Sequence, residues 1–225
     1  MKNQYPLMID LTGRDCLVVG GGGVALRKAG SLAAAGANVT LIAPEVHPGL
    51  ADMVACGKVR WRKEPFGGHD VSGYDLVVAA TDQPEVNLAV YQAVAANRGW
   101  INIVDRPDLC NFIVPSSVHR GKLVISVSTS GASPALARKI KQKIEQEFGP
   151  EYERYLDFLA QMRQRVLAEV ENPEERRQLF QQLLDDAFLH ASEEQQNQMA
   201  EALLERRKTG GAQGGNDETV ESRFA

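Results

Sequence analysis

The stretch Cys16–Gly36, CLVVGGGGVALRKAGSLAAAG, decides the fold. Its first four residues, CLVV, form a short apolar run suited to a strand buried on both faces. Glycines follow at Gly20, Gly21, Gly22 and Gly23. A helical pattern comes next, with Ala25, Ala29, Leu32 and Ala33 at i, i+4, i+7 and i+8. Gly36 stands where a helix commonly ends on glycine. Val39 to Ala43, VTLIA, then reads as a second buried strand. Strand, glycine turn, helix and strand in this order predict the opening unit of a dinucleotide-binding fold.

The glycines have separate jobs in that reading. Gly20 turns out of the strand, and Gly22 lets the backbone approach a pyrophosphate. Ala25 takes the third small position of G-x-G-x-x-G/A, where helix and strand pack closely. N–H groups at the helix start, aided by the helix dipole, hold phosphate charge. One part of the fingerprint is absent. An acid for the adenine ribose ordinarily ends the second strand, but here it ends Ile42-Ala43-Pro44, with Glu45 the nearest acid. No arginine stands there for a 2′-phosphate, so the motif leaves NAD and NADP open. The alternative reading is a glycine-rich turn that binds nothing.

Composition narrows the classes. A chain of 225 residues with 44% hydrophobic content can bury a proper core as one large domain or two small ones. A net charge of −4 argues against general nucleic-acid binding. Cys16, Cys56 and Cys110 are widely spaced and odd in number, which suits reduced thiols and no disulfide framework. The histidines are scattered and no Cys-x-x-Cys occurs, so no metal cluster is visible. The N-terminal MKNQYPLMIDLTGRD resembles neither a signal peptide nor an anchor, and no apolar run approaches membrane-spanning length. A soluble, cytoplasmic protein with no membrane partner is expected.

Further along, Lys58–Lys63 alternates as an edge strand, and Asp75–Thr81 reads as a fourth, buried strand. A helix is expected from Pro84, with Val86, Val90, Ala93 and Val94 inward, followed by a fifth strand at Ile101–Asp105. Alternating strands and helices predict an α/β fold, a Rossmann-type parallel sheet. Ligands bind off the carboxyl ends of such strands, which directs attention to the GGGG turn, Thr81-Asp82 and Asp105. The pattern then changes to a small α+β segment. FIVP at Phe112 and LVISVS at Leu123–Ser128 read as strands joined by the link SSVHRGK, and Ser133 with Pro134 starts a helix. From Glu151 the chain reads as helical. Tyr155, Leu159, Met162, Val166 and Val170 share one face. Asn172 with Glu175, and Ser192 with Gln195, start further helices in capping-box patterns, the last carrying Met199, Ala202 and Leu203. The expected organisation is residues 1–112 as the nucleotide domain, 113–149 as a middle segment, 150–208 as a helical domain and 209–225 as a disordered tail.

LVVGGGGVALRKAGSLAAAGANVTLIAP, AATDQPEVN and NIVDRPDLCNFIVPSSVHRGKLVISVSTSGASPALARKIK together resemble the precorrin-2 dehydrogenase family, also known as the N-terminal half of siroheme synthase. The resemblance runs from about Pro6 to Gly149, more loosely beyond. It implies oxidation of precorrin-2 to sirohydrochlorin with NAD as acceptor. Some members also insert ferrous iron to give siroheme. A homodimer formed through the middle segment is implied as well. Fused members continue into a methyltransferase, so methylation is not expected of this chain.

The resemblance also assigns roles. Asp105, in IVDRP, corresponds to the family's functional aspartate. On the residues alone it is either a cap of the turn after strand five or a carboxylate at the ligand edge, able to act as a base. Gly22, Gly23 and Val24 are implied at the pyrophosphate, with Gly20, Ala43, Pro44, Thr81 and Asp82 completing the cofactor set. Asn87 either joins that set or ties its helix to the sheet. Precorrin-2 carries many carboxylates, for which Arg106, Arg120 and Arg138 are candidate partners, with Lys122 and Lys139 nearby. Arg138 and Lys139 read equally as a solvated helix face. Ser128, Thr129 and Ser130 match a serine-rich stretch near the tetrapyrrole, with threonine as a departure inside it. His119 is the histidine closest to these motifs. The competing class is a non-catalytic nucleotide-sensing module that regulates a partner through its helices.

Overall fold

The computed structural model describes residues 4–210. The chain divides into two compact units, one ending at Val114 and the next beginning at Pro115. The first is built on a parallel sheet of β1 (Asp15–Val19), β2 (Asn38–Ile42), β3 (Val59–Arg62), β4 (Leu76–Ala79) and β5 (Trp100–Ile103), in the order β3-β2-β1-β4-β5. β1 is central, with Val18 opposite Leu41 on one side and Val78 on the other. The order reverses direction beside β1, so the topological switch point lies at the carboxyl ends of β1 and β4.

Both sheet faces are covered, which is why the inner strands read as unbroken apolar runs. On one face Cys16, Val18, Leu41 and Val78 pack against Ala25 and Ala29 of α1 (Gly23–Ala34) and Leu50 of α2 (Pro48–Ala55). On the other, Leu17, Val19, Val77 and Ile101 pack against Val90 and Val94 of α3 (Pro84–Ala96). Leu17 and Leu41 are fully buried, each contributing roughly 1.5–3 kcal/mol of transfer free energy. The two alanines of α1, both fully buried, let that helix lie close to β1. α2 is absent from the expected elements. His47 caps it, Nδ1 accepting the Gly49 N–H at 3.1 Å, but only Leu50 along it is fully buried. No apolar stripe therefore announces it.

The outer edge of β5 is covered by its own loop. Asn111 accepts the Ile101 N–H on Oδ1 (2.8 Å), donates its N–H to the Ile101 carbonyl (3.1 Å) and its Nδ2 to Gly99 (2.7 Å).

The second unit opens with an antiparallel hairpin, β6 (Ser116–Arg120) and β7 (Leu123–Val127), followed by α4 (Pro134–Glu147). This corrects the sequence reading. Phe112–Pro115 is not a strand, and the expected link SSVHRGK supplies one instead. Its period of two is faint because only Val118 is both apolar and buried, while Ser117 meets Ser126 across the ladder at 2.9 Å. The turn is Gly121-Lys122, and Gly121 takes a positive φ of 53° as two-residue hairpin loops favour.

Helices α5 (Glu151–Glu169), α6 (Pro173–Gln182), α7 (Asp186–His190) and α8 (Glu193–Gly210) complete the unit. Tyr155, Phe158, Met162 and Val166 of α5 form its core with Leu179, Leu183, Phe188 and Leu204. Ser192 and Gln195 form the reciprocal capping box: the Ser192 N–H donates to Oε1 of Gln195 (2.9 Å) and the Gln195 N–H to the Ser192 hydroxyl (3.3 Å). Asn172 caps α6, but Glu175 pairs with Arg207 at 2.7 Å and leaves the box one-sided. In α8 the buried face is Gln196, Ala200 and Leu204, and Ala202 is exposed. Gln196 is drawn inward by a 2.7 Å hydrogen bond to the Phe188 carbonyl. α8 runs through Gly210, past the expected start of the tail, and the rest of that tail lies outside the described residues. Among the described residues no helix is long and apolar enough to cross a membrane.

Candidate functional site: the carboxyl edge of the parallel sheet

The glycines after β1 fall into two physical kinds. Gly20 has φ +124°, and a methyl group on it would stand 2.3 Å from the Ala80 carbonyl oxygen. A methyl on Gly21 would stand 1.8 Å from the carbonyl oxygen of Glu45, and the Gly21 carbonyl accepts the His47 N–H at 2.7 Å. These two residues are glycine because the loops after β2 and β4 press on them. The motif treats Gly21 as any residue, and the run of four glycines is the one sequence signal of its constraint.

Gly22 and Gly23 differ. A methyl group on either would meet no protein atom within 4 Å, and Gly22 has an ordinary φ of −84°. Neither folding nor backbone geometry asks for glycine at Gly22. It is the N-cap of α1, makes no side-chain cap hydrogen bond, and is followed by no acid in the first turn. The N–H groups of that turn are thus not spent on a side chain of the cap. An anionic group approaching the backbone here fits all of these features at once, and the donors and the helix dipole both favour it. Val24 is half-buried against the core.

At the end of β2, Ala43 is buried and its carbonyl accepts the Trp61 indole N–H at 2.9 Å, while Pro44 is exposed. At the end of β4, Thr81 is held by Asn87. Its hydroxyl lies 2.8 Å from Oδ1 of Asn87, and Nδ2 of Asn87 donates to the Thr81 carbonyl at 3.0 Å. Asn87 is buried and ties α3 to the strand end. Asp82 is exposed beside it.

β5 ends in a turn from Ile103 to Arg106, closed by the Arg106 N–H to the Ile103 carbonyl at 3.4 Å. Asp105 occupies its third position with φ +64° and is exposed. A left-handed backbone costs a non-glycine residue roughly 1–2 kcal/mol, least for Asp and Asn. Arg106 is held by Asp108 in a bidentate pair at 3.0 and 2.8 Å. Beneath the turn lies Cys110, whose Sγ accepts the Ile103 N–H at 3.1 Å and is 3.3 Å from the carbonyls of Ile103 and Arg106. Asn102, also buried, donates Nδ2 to the Phe112 carbonyl at 3.1 Å and points it at Cys110 Sγ, 3.7 Å away. Its Oδ1 accepts from Lys28 of α1 at 3.2 Å, and burial pushes the Lys28 ammonium below its usual pKa. The sequence reading assigned no role to Cys110, Asn102 or Lys28.

The remaining candidates belong to the second unit. Ser128 Oγ accepts the Ser130 N–H (3.0 Å), Thr129 Oγ1 accepts the Ser133 N–H (3.1 Å), and Ser133 caps α4 through the Leu136 N–H (3.2 Å). Ser130 and Gly131 both take positive φ, 51° and 84°. Arg120 has a structural task. Its guanidinium donates to the carbonyls of Phe148 (2.9 Å) and Glu145 (3.3 Å), satisfying the end of α4, and to that of the adjacent His119 in β6 (2.9 Å). Lys122 pairs with Asp157. Arg138, Lys139 and His119 are exposed. Among the described residues no group of three or more His, Cys, Asp or Glu could hold a metal ion.

Comparison with known proteins gives a consistent picture. Residues 7–116 match a family described as putative NAD(P)-binding, residues 120–147 the central part of sirohaem biosynthesis proteins, and residues 152–199 the SirC C-terminal domain. A siroheme synthase of Methylobacillus flagellatus is 40% identical over 193 residues, covering 84% of this chain and 41% of the relative. Siroheme synthase 3 of Aeromonas hydrophila is 36% identical over 207 residues, covering 90% of this chain and 44% of the relative. The chain thus spans less than half the length of these curated relatives. A solved structure of SirC, a precorrin-2 dehydrogenase, superimposes with a TM-score of 0.76 at 27% identity, covering 92% of this chain and 100% of that one. The parallel sheet with its glycine turn, the central segment and the helical end all match in order, and the chain belongs to the family of precorrin-2 dehydrogenases that also supplies part of siroheme synthases.

Proposed function

We propose that this chain is an NAD-dependent precorrin-2 dehydrogenase, oxidising precorrin-2 to sirohydrochlorin in siroheme biosynthesis. The observation that carries the reading is the uncapped start of α1, where Gly22 and Gly23 are glycine for no reason internal to the protein. Family membership supplies the ligand that explains them. Gly20, Gly22, Gly23 and Val24 hold the pyrophosphate of NAD, Ala43 and Pro44 the adenosine half, and Thr81 and Asp82 the rest. Bound NAD supplies the hydride acceptor. The oxidation also releases a proton from the substrate, and the exposed carboxylate of Asp105 on the same sheet edge is the base that takes it. Its left-handed backbone supports this, because strained residues cluster where geometry serves chemistry. Arg106, Arg138 and the Ser128–Thr129–Ser130 loop bind substrate carboxylates, Arg106 by exchanging Asp108 for one of them. Arg120 contributes by fixing the end of α4.

The middle segment, 113–149, makes a homodimer. A two-stranded sheet is marginal alone, and only Val118 and Ala137 of the hairpin and α4 are fully buried. Val124 and Leu136 are exposed. A second copy is the natural cover for that apolar surface. The setting is cytoplasmic, which suits the free thiols of Cys16, Cys56 and Cys110.

Anaerobic absorbance spectroscopy with precorrin-2 tests the reading. The expected result is growth of the sirohydrochlorin spectrum with NAD reduced in step. Folded protein that binds NAD without a spectral change would instead support the nucleotide-sensing module. Adding ferrous iron last tests a second activity, insertion to siroheme, which the siroheme synthase relatives favour; an enzyme-dependent siroheme spectrum is its signature.

A further inference from the structure

The turn that carries Asp105 is built over a buried polar chain with no part in the chemistry described so far. Its members are Cys110, Asn102 and Lys28. Asn102 sits in a strand whose neighbours Ile101 and Ile103 are core residues. Cys110 is 5% exposed within the same core, and its sulfur lies against the backbone polar groups that begin and end the Asp105 turn. The edge N–H of Ile103 has no neighbouring strand, and Cys110 Sγ accepts it. One thiol proton is available for the Ile103 or the Arg106 carbonyl, the two carbonyls that flank Val104 and Asp105. Asn102 steadies the sulfur from below and is itself held by Lys28, so the chain ends on the helix that opens at Gly23.

We propose that Cys110, supported by Asn102 and Lys28, is the positioning residue for Asp105: it holds the turn in the left-handed form that presents the carboxylate. The proposal rests on the reading of Asp105 as the base. It gives the buried thiol a task that is neither redox nor metal binding. A strained turn relaxes unless its surroundings determine it, and the sulfur clamps this one at both ends. Loss of the clamp therefore lowers turnover and leaves the glycine turn after β1, on the far side of β4, intact.

The test uses the full chain with Cys110→Val, which keeps the site filled with an apolar group and removes the hydrogen bonds. Misplacing a catalytic group by an ångström costs up to about a hundredfold, so kcat is expected to fall about tenfold to a hundredfold. KM for NAD and NAD affinity stay within about twofold. Amide exchange speeds up at Ile103 and Arg106 and not at Gly20–Ala25. Cys110→Ser, which retains a donor and acceptor, recovers most of the turnover. If Cys110→Val does not fold, Cys110→Ala takes its place. Wild-type kcat in the folded variant overturns the proposal, as does a loss of kcat matched by equal loss of NAD affinity. Asp105→Asn, run in parallel, separates the two layers. Collapse of turnover there with normal turnover in Cys110→Val removes the positioning role alone. Normal turnover in Asp105→Asn removes Asp105 as the base, and the proposal falls with it.

Discussion

Gly22→Asp should move stability and cofactor affinity in opposite directions. Position 22 is the N-cap of α1, with φ −84° and ψ −173°, a backbone in which aspartate caps a helix well. A methyl there meets nothing within 4 Å, so no clash offsets the gain. Replacing an N-cap glycine by aspartate contributes a few tenths of a kcal/mol, and a negative charge at a helix start adds roughly 0.3–1. The sum, about 0.5–1 kcal/mol, raises the melting temperature by roughly 1–4 °C for a chain of this size. The same carboxylate takes the N–H donors offered to the pyrophosphate and stands against its charge. One like charge at about 4 Å and an effective dielectric near 20 costs roughly 4 kcal/mol, or up to about a thousandfold in Kd for NAD. Thermal melting without ligand and calorimetric titration with NAD read the two effects separately. Wild-type NAD affinity in this variant would refute the placement of the cofactor. A fall in both stability and affinity would refute the division of the glycines into two kinds.

Gly21→Ala is expected to behave oppositely to Gly22→Asp, losing stability first. Its methyl would stand 1.8 Å from the Glu45 carbonyl oxygen, and relieving that overlap should cost on the order of 1–3 kcal/mol, read as a lower urea midpoint. Thiol titration of the native protein near pH 8 should find Cys56 fast and Cys16 and Cys110 protected, since the first is exposed and the others are buried. Burial pushes the Cys16 thiol up from an ordinary 9.0 to about 11. Above pH 9 the unfolded chain therefore holds fewer protons at this site than the native one, and stability should fall as pH rises from 9 towards 11, less so in Cys16→Ala.

Local chemistry made much of the fold legible. The β1–α1–β2 unit follows from an apolar run, a glycine turn and small residues at helical spacing. The Ser133 cap and the Ser192–Gln195 box each need only neighbours in sequence. Features decided by distant partners were not legible. Arg120 looks like a ligand for carboxylates until the end of α4 arrives 28 residues later and takes its guanidinium. Gly21 is constrained by Glu45 and not by its own turn. The SSVHR strand is concealed because serine and histidine line its outer face, and the strand is fixed by pairing with β7. At the candidate site, Asp105 is singled out by its place at the end of β5 together with the family resemblance, but its left-handed backbone and the thiol beneath it depend on how residues 104–111 fold back along β5.

That fold-back has a colloidal consequence. A sheet grows by recruiting strands from other molecules wherever its border offers unpaired backbone. Asn111 imitates an incoming strand along β5, filling the positions a neighbour would need. The opposite border, β3, carries the charged pairs Arg60–Asp15 and Arg62–Glu64, which disfavour docking of another strand. Both flanks of the nucleotide-binding sheet are thus insulated against edge-to-edge polymerisation. Concentrated protein is expected to stay clear of fibrils seeded from this sheet.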